Sequence, residues 1–155
     1  MNPRLTNKKL VKALMDTKGL DMISITSATI VVQVSDKFTP KMAEELSNFT
    51  KRQVILKGDT HKENQLGMVV LDKIESTCDM VYNDKVDYVS HGTGDVFASS
   101  FVGSVMLGKS PTAACKIAGE FTKIAIEKTI GDETHTYGVK FEQAIPQLYD
   151  LLDKY

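Results

Sequence analysis

Apolar and polar positions follow two rhythms along the chain, strand-like runs alternating with two short helical stretches over the first ninety or so residues and a helical rhythm thereafter. Leu10, Val11, Leu14 and Met15 recur at helical spacing within Thr6 to Lys18, and Gly19 ends the run; this predicts a short amphipathic helix. From Asp21 to Val34 β-branched residues take over, among them Ile23, Ile25, Ile30, Val31, Val32 and Val34, as in one long strand or two short ones. Thr39-Pro40 sets a capping hydroxyl before a proline, and Met42, Ala43, Leu46 and Phe49 share one face, so a helix is expected from about Pro40 to Thr50. Val54-Ile55-Leu56 is continuously apolar and stops at Lys57-Gly58-Asp59, the pattern of a core parallel strand covered on both faces. Leu66 to Leu71, Ile74 to Tyr82 and Val86 to Val89 are strand-like runs separated by Asp-Lys and Asn-Asp turns, expected as an antiparallel meander.

After residue 90 helix signals dominate. Gly94 to Leu107 interleaves Val96, Phe97, Phe101, Val102, Val105 and Met106 with small residues, which implies close packing on its neighbours. Ser110-Pro111 repeats the hydroxyl-plus-proline start, and a second long helix runs from there to Ile130, before Gly131. Gly131 to Tyr137 is a polar loop, and Gln143 to Asp153 reads as a closing helix with Pro146 in its first turn.

Composition narrows the class. The 155 residues suit one domain with a sizeable core, and 42% hydrophobic with 25% charged residues is the balance of a folded globular protein. Nineteen basic against twenty acidic residues leave a net charge of -1 without a basic block, so nucleic acid is not an expected partner. No apolar stretch approaches the roughly 20 residues of a membrane span, and no signal-peptide core opens the chain. A cytoplasmic protein is expected. Cys78 and Cys115 have no CxxC spacing and are expected as buried free thiols, while His61, His91 and His135 are too scattered for a metal site.

The chemistry concentrates in His91-Gly92-Thr93-Gly94-Asp95, a strand end and Gly-x-Gly turn opening a helix. Glycines let backbone approach an anion, and the first amides of a helix are unpaired at the positive end of its dipole. An aspartate at that end is favoured as a carboxylate and is placed to accept a proton from an attacking hydroxyl. The pattern is not a Walker motif, because the following Lys-Ser or Lys-Thr pair is absent. His91 itself reads as a structural residue.

The string His91-Gly92-Thr93-Gly94-Asp95-Val96-Phe97-Ala98-Ser99-Ser100-Phe101-Val102-Gly103, with Leu107-Gly108-Lys109-Ser110 and Tyr137-Gly138-Val139-Lys140-Phe141-Glu142 in the same order, resembles the C-terminal signature of ribokinase-like kinases, the pyridoxal and pyridoxamine kinases among them. The resemblance covers about Pro40 to Leu152. It implies an α/β fold, the three-layer α/β/α sandwich of that superfamily in a partial, C-terminal version with a mixed sheet. It also implies ATP-dependent phosphorylation of the hydroxymethyl group of pyridoxal or a related B6 vitamer. Asp95 would be the general base, and Gly92, Thr93 and Gly94 would form the anion hole. Lys57, matching the family's nucleotide-contacting strand end, would reach a phosphate. The implied cofactors are ATP and Mg²⁺, with K⁺ left open. Related hydroxymethylpyrimidine kinases commonly carry cysteine where this chain has Asp95, which favours the B6 branch.

The resemblance has a boundary. Residues 1–39 read as a divergent helix and strand segment, and 40–155 as the C-terminal half of such a kinase domain, within one domain overall. Kinases of this type are longer and hold their vitamin-binding half ahead of the matched region. Asn2-Pro3-Arg4-Leu5-Thr6-Asn7 echoes their Asn-x-x-Glu type motif but lacks its acid, so metal ligands stay unassigned. A half sheet would leave an exposed edge, and homodimerisation is expected. The alternative function is a catalytically inactive remnant that binds nucleotide or a subunit.

Overall fold

Three consecutive apolar side chains on one strand can be buried only if both faces of its sheet are covered. Val54, Ile55 and Leu56 are each at most 1% exposed, and they form the centre of β3 (Gln53–Asp59). β1 (Leu20–Ile25) and β2 (Thr29–Val34) pair antiparallel, β2 runs parallel to β3, and β3 is antiparallel to β4 (Gln65–Asp72). The mixed sheet therefore has the order β1–β2–β3–β4 over these strands. Of the two readings of Asp21 to Val34, two short strands is the observed one. The parallel partner expected for Val54–Leu56 is β2, with Ile30 opposite Val54 and Val32 opposite Leu56. β4 also buries consecutive residues, Met68, Val69 and Val70, so it is an interior strand too.

These statements rest on the computed structural model, which describes residues 20–25, 29–34, 43–44, 47–48, 53–59, 61–72, 75–134 and 137–155. It divides into two units, Met1–Met80 and Val81–Tyr155. The helix expected over Thr6 to Lys18 and His135 lie outside the described residues. Within the expected Pro40 to Thr50 helix, residues 43, 44, 47 and 48 are helical. Ala43 and Ser47, four apart, are buried, while Glu44 and Asn48 are exposed, the signature of a helix with one inward face.

At one end of the sheet a short polar chain is held together below the surface. Thr29 donates its hydroxyl to Gln53 Oε1 at 3.3 Å, and Gln53 Nε2 donates to Asp72 Oδ1 at 3.2 Å. The amide of Glu75 donates to the same oxygen. Asp72 is only 4% exposed, and these bonds offset the cost of burying its carboxylate.

β5 (Thr77–Asp84) carries the chain from the first unit into the second. Two expectations fail here. Val86 to Val89 is not a strand: the segment is irregular and Val89 is 97% exposed. Cys78 is exposed rather than buried, because β5 buries only Val81; Cys115 is buried as expected, and both thiols are free.

The second unit is helical. α1 (Thr93–Met106) and α2 (Pro111–Thr129) pack on each other, and a 3₁₀ turn (Phe141–Ala144) leads into α3 (Ile145–Lys154) with its proline in the first turn. Buried Ser100 and Ser104 donate to Val96 O at 2.6 Å and Ser100 O at 2.7 Å. Small residues can therefore sit between helices without orphaned hydroxyls. Gly108, at φ 86°, closes α1: its amide donates to Val105 O and that of Lys109 to Ser104 O. This paired pattern requires a left-handed residue. Ser110 then accepts from the Ala113 amide at 3.2 Å and starts α2. Ala114, Ile117, Ala118, Phe121 and Ala125 bury one face of α2, and Val139, Ala144 and Leu151 complete its core with residues from the closing segment. Among the described residues, no helix is long and apolar enough to cross a membrane.

Candidate active site

The two long helices begin differently, and the difference locates the site. α2 is capped by a serine hydroxyl, the ordinary solution for an unpaired first amide. α1 starts from Gly92 at φ 81° and ψ -3°, with no side-chain cap. The first intrahelical bond there runs from the Val96 amide to Gly92 O at 3.0 Å. The amides of Thr93, Gly94 and Asp95 precede it and face outward at the positive end of a 14-residue helix.

The left-handed conformation of Gly92 is what turns these amides out of the incoming chain. A Cβ built there would meet nothing within 4 Å, so the space in front of the turn is open. Asp95 is the acid of the first turn and its side chain is exposed. Asp95 also stands at one end of a groove of about 440 Å³, walled by Ser99 and Gly103 of α1, with Phe121, Leu148 and Leu152 among its apolar lining.

Of the residues singled out from the sequence, Gly92, Thr93, Gly94 and Asp95 come together in this single turn. Lys57 lies on β3 of the first unit, opposite Gln33 of β2 and Met68 of β4, and is half-buried. His91 immediately precedes the turn, and its imidazole stacks on the ring of Tyr137 at 5.8 Å between centroids and 21° between planes. In the sequence Tyr137 stands only as part of the Tyr137–Glu142 string. Nothing in local spacing reports a contact made by a segment that returns from beyond α2. Among the described residues, no group of three or more His, Cys, Asp or Glu side chains could hold a metal ion. The described residues thus form no protein-only Mg²⁺ cage.

A family model described as phosphomethylpyrimidine kinase matches residues 21–139. No curated protein sequence matches. Among similar solved structures is a protein of the phosphomethylpyrimidine kinase type from Bacteroides thetaiotaomicron VPI-5482, in an orthorhombic crystal form with pyridoxal. It has a TM-score of 0.63 and 25% identity over 71% of this chain and 40% of that one. Pyridoxal kinase from Lactobacillus plantarum aligns with a TM-score of 0.61 and 18% identity, over 75% of this chain and 42% of that one. Ribokinase from Thermotoga maritima aligns at 0.50 and 20%, over 73% and 35%. The last two establish the fold: it is ribokinase-like, as the motif string implied. The chain spans about two-fifths of the length of these structures.

Proposed function

The chain belongs to the phosphomethylpyrimidine kinase family, and from that premise we propose that it takes part in ATP-dependent phosphorylation of the hydroxymethyl group of a pyridoxal-type compound. The observation that carries the proposal is the uncapped start of α1, where three outward amides and an exposed carboxylate share one turn behind a left-handed glycine. Within the Gly92–Gly94 turn assigned as the anion hole, the outward amides of Thr93 and Gly94 would hold oxygens of the transferred phosphoryl group by charge-assisted hydrogen bonds, with the Gly92 amide preceding them. The Asp95 carboxylate would accept the proton of the substrate hydroxyl as its oxygen bonds to the γ-phosphorus. The bridging bond to the β-phosphate breaks, and ADP departs.

Lys57 is assigned to the nucleotide phosphates in the same reading. Mg²⁺ held by the nucleotide would supply charge neutralisation at those phosphates, the ordinary arrangement in phosphoryl-transfer sites. Most of the acceleration comes from positioning and charge, with the base adding roughly 10²- to 10⁴-fold. Aspartate in place of the cysteine common in hydroxymethylpyrimidine kinases, and the pyridoxal held by the Bacteroides thetaiotaomicron relative, both support a B6 vitamer over a pyrimidine.

The test is formation of pyridoxal phosphate, followed spectrophotometrically with ATP, Mg²⁺ and K⁺, beside a parallel reaction on hydroxymethylpyrimidine. Turnover of pyridoxal alone is the expected result. Turnover of the pyrimidine alone would reassign the substrate. ATP binding without turnover of either would support the second reading, a nucleotide-binding remnant, which the missing acid in Asn2–Asn7 motivates.

A further inference from the structure

Gly92 has no side chain with which to brace the entry to α1, so something else must hold the residue in front of it. Three contacts converge on His91. Ser90 donates its hydroxyl to His91 O at 3.3 Å. Gly138 passes against that same carbonyl, its would-be Cβ 4.0 Å from the oxygen. The Tyr137 ring lies nearly parallel to the imidazole. The segment that brings Tyr137 and Gly138 there is anchored just beyond them. Val139 is buried with Ile117, Phe121 and Ala125, the amide of Lys140 donates to Thr129 Oγ1 at 2.9 Å, and the Lys140 ammonium pairs with Asp132. Tyr137 remains 80% exposed, so its ring does little for the core.

We infer that Tyr137 is a positioning residue for the anion turn: clamped to the end of α2, it holds His91, and through His91 sets the direction in which the Gly92–Asp95 amides point. This rests on the reading of that turn as a phosphate site. Tyr137 itself touches no reacting atom in this account. An aromatic pair of this kind is worth enough that its loss weakens an anion held by the turn about fivefold.

The test uses the full chain and ATP as probe, with calorimetric affinities for the wild type and for Tyr137→Phe, Tyr137→Ala, His91→Ala and the Tyr137→Ala/His91→Ala double variant. The His91 Cε1 proton resonance, which senses the ring current of Tyr137, reports the stack separately. Tyr137→Ala is expected to move that resonance and bind ATP about fivefold more weakly, and Tyr137→Phe to leave both unchanged. The double variant is expected to bind no worse than His91→Ala. Unchanged affinity in Tyr137→Ala with a moved His91 resonance would overturn the positioning role and leave the phosphate reading standing. Further loss in the double variant would show that Tyr137 acts directly rather than through His91, which also overturns it. A wild type that binds no ATP would overturn the phosphate reading, and the positioning role with it.

Discussion

Replacing Gly92 by alanine separates the structural work of this residue from its functional work. At φ 81° an alanine meets no neighbour within 4 Å, so the cost is confined to the backbone. A left-handed non-glycine residue costs roughly 1–2 kcal/mol, and the stiffer unfolded chain returns about 0.4–1 kcal/mol. The net loss should be about 1 kcal/mol, or a fall of about 2–4 °C in Tm for a chain of this size. Asparagine tolerates the left-handed region better, so Gly92→Asn should recover most of that loss. Binding should respond differently, because either side chain grows into the open space where an anion must approach the amides. Hydrogen bonds to charged groups are worth about 1.5–3 kcal/mol, so loss of one predicts at least about tenfold weaker ATP binding in both variants. Urea and thermal denaturation read the first effect, and calorimetric titration with ATP reads the second. Wild-type affinity in Gly92→Asn would refute close anion approach at Gly92. Unchanged stability in Gly92→Ala would refute the left-handed cap itself.

Three further outcomes follow from packing and charge. A Cβ on Gly119 would run into Asn83 Oδ1 and lie 2.8 Å from its Cγ. Gly119→Ala should therefore destabilise, since overpacking of about 1–3 kcal/mol outweighs a helix-propensity gain of about 1 kcal/mol. The same change in an Asn83→Ala background should stabilise, and equal effects in both backgrounds in urea melts would contradict the contact. Lys123 Nζ lies 3.0 Å from Asp84 Oδ2, and hydrogen bonding to Asp84, with Coulombic support from Asp84, Glu127 and Glu120, holds its pKa above the usual lysine value against an opposing desolvation effect. That contribution is complete at neutral pH and is lost as pH rises through the raised pKa. Asp84→Asn should thus cost about 0.5 kcal/mol near pH 7, and the gap should close only above about pH 10.4; a gap that closed by pH 9 would refute the pairing. Although the Cys78 side chain is exposed, partial desolvation by its neighbours raises its thiol pKa, with Glu44 and Asp79 adding to it, so its alkylation by iodoacetamide should be slower at pH 8 than that of a free cysteine peptide. Equal rates would count against that environment.

The strands that could be read in advance are those whose burial is dense. Val54–Leu56 and Val31–Val32 sit in the middle of the sheet, and continuous apolar runs have few other uses. Val86 to Val89 misled because strand propensity measures fit to a half-buried pleated surface, and this segment finds none: Asp87, Tyr88 and Val89 are all exposed. Cys78 misled for a related reason, since cysteine's usual burial is a statement about cores and its half of β5 is mostly exposed. The turn at Gly92–Asp95 was legible because the helix start, the glycines and the acid are local. Tyr137 was not, because its role depends on where Val139 and Lys140 fasten a returning segment.

The rate of phosphoryl transfer by Asp95→Asn, measured beside its affinity for ATP, tests the role of Asp95 most directly. Asn keeps the size of the side chain and removes only its capacity to take a proton. If Asp95 is the general base, kcat on pyridoxal falls by about 10²- to 10⁴-fold with ATP affinity within a few-fold of wild type. A variant that turned over at the wild-type rate would contradict that role.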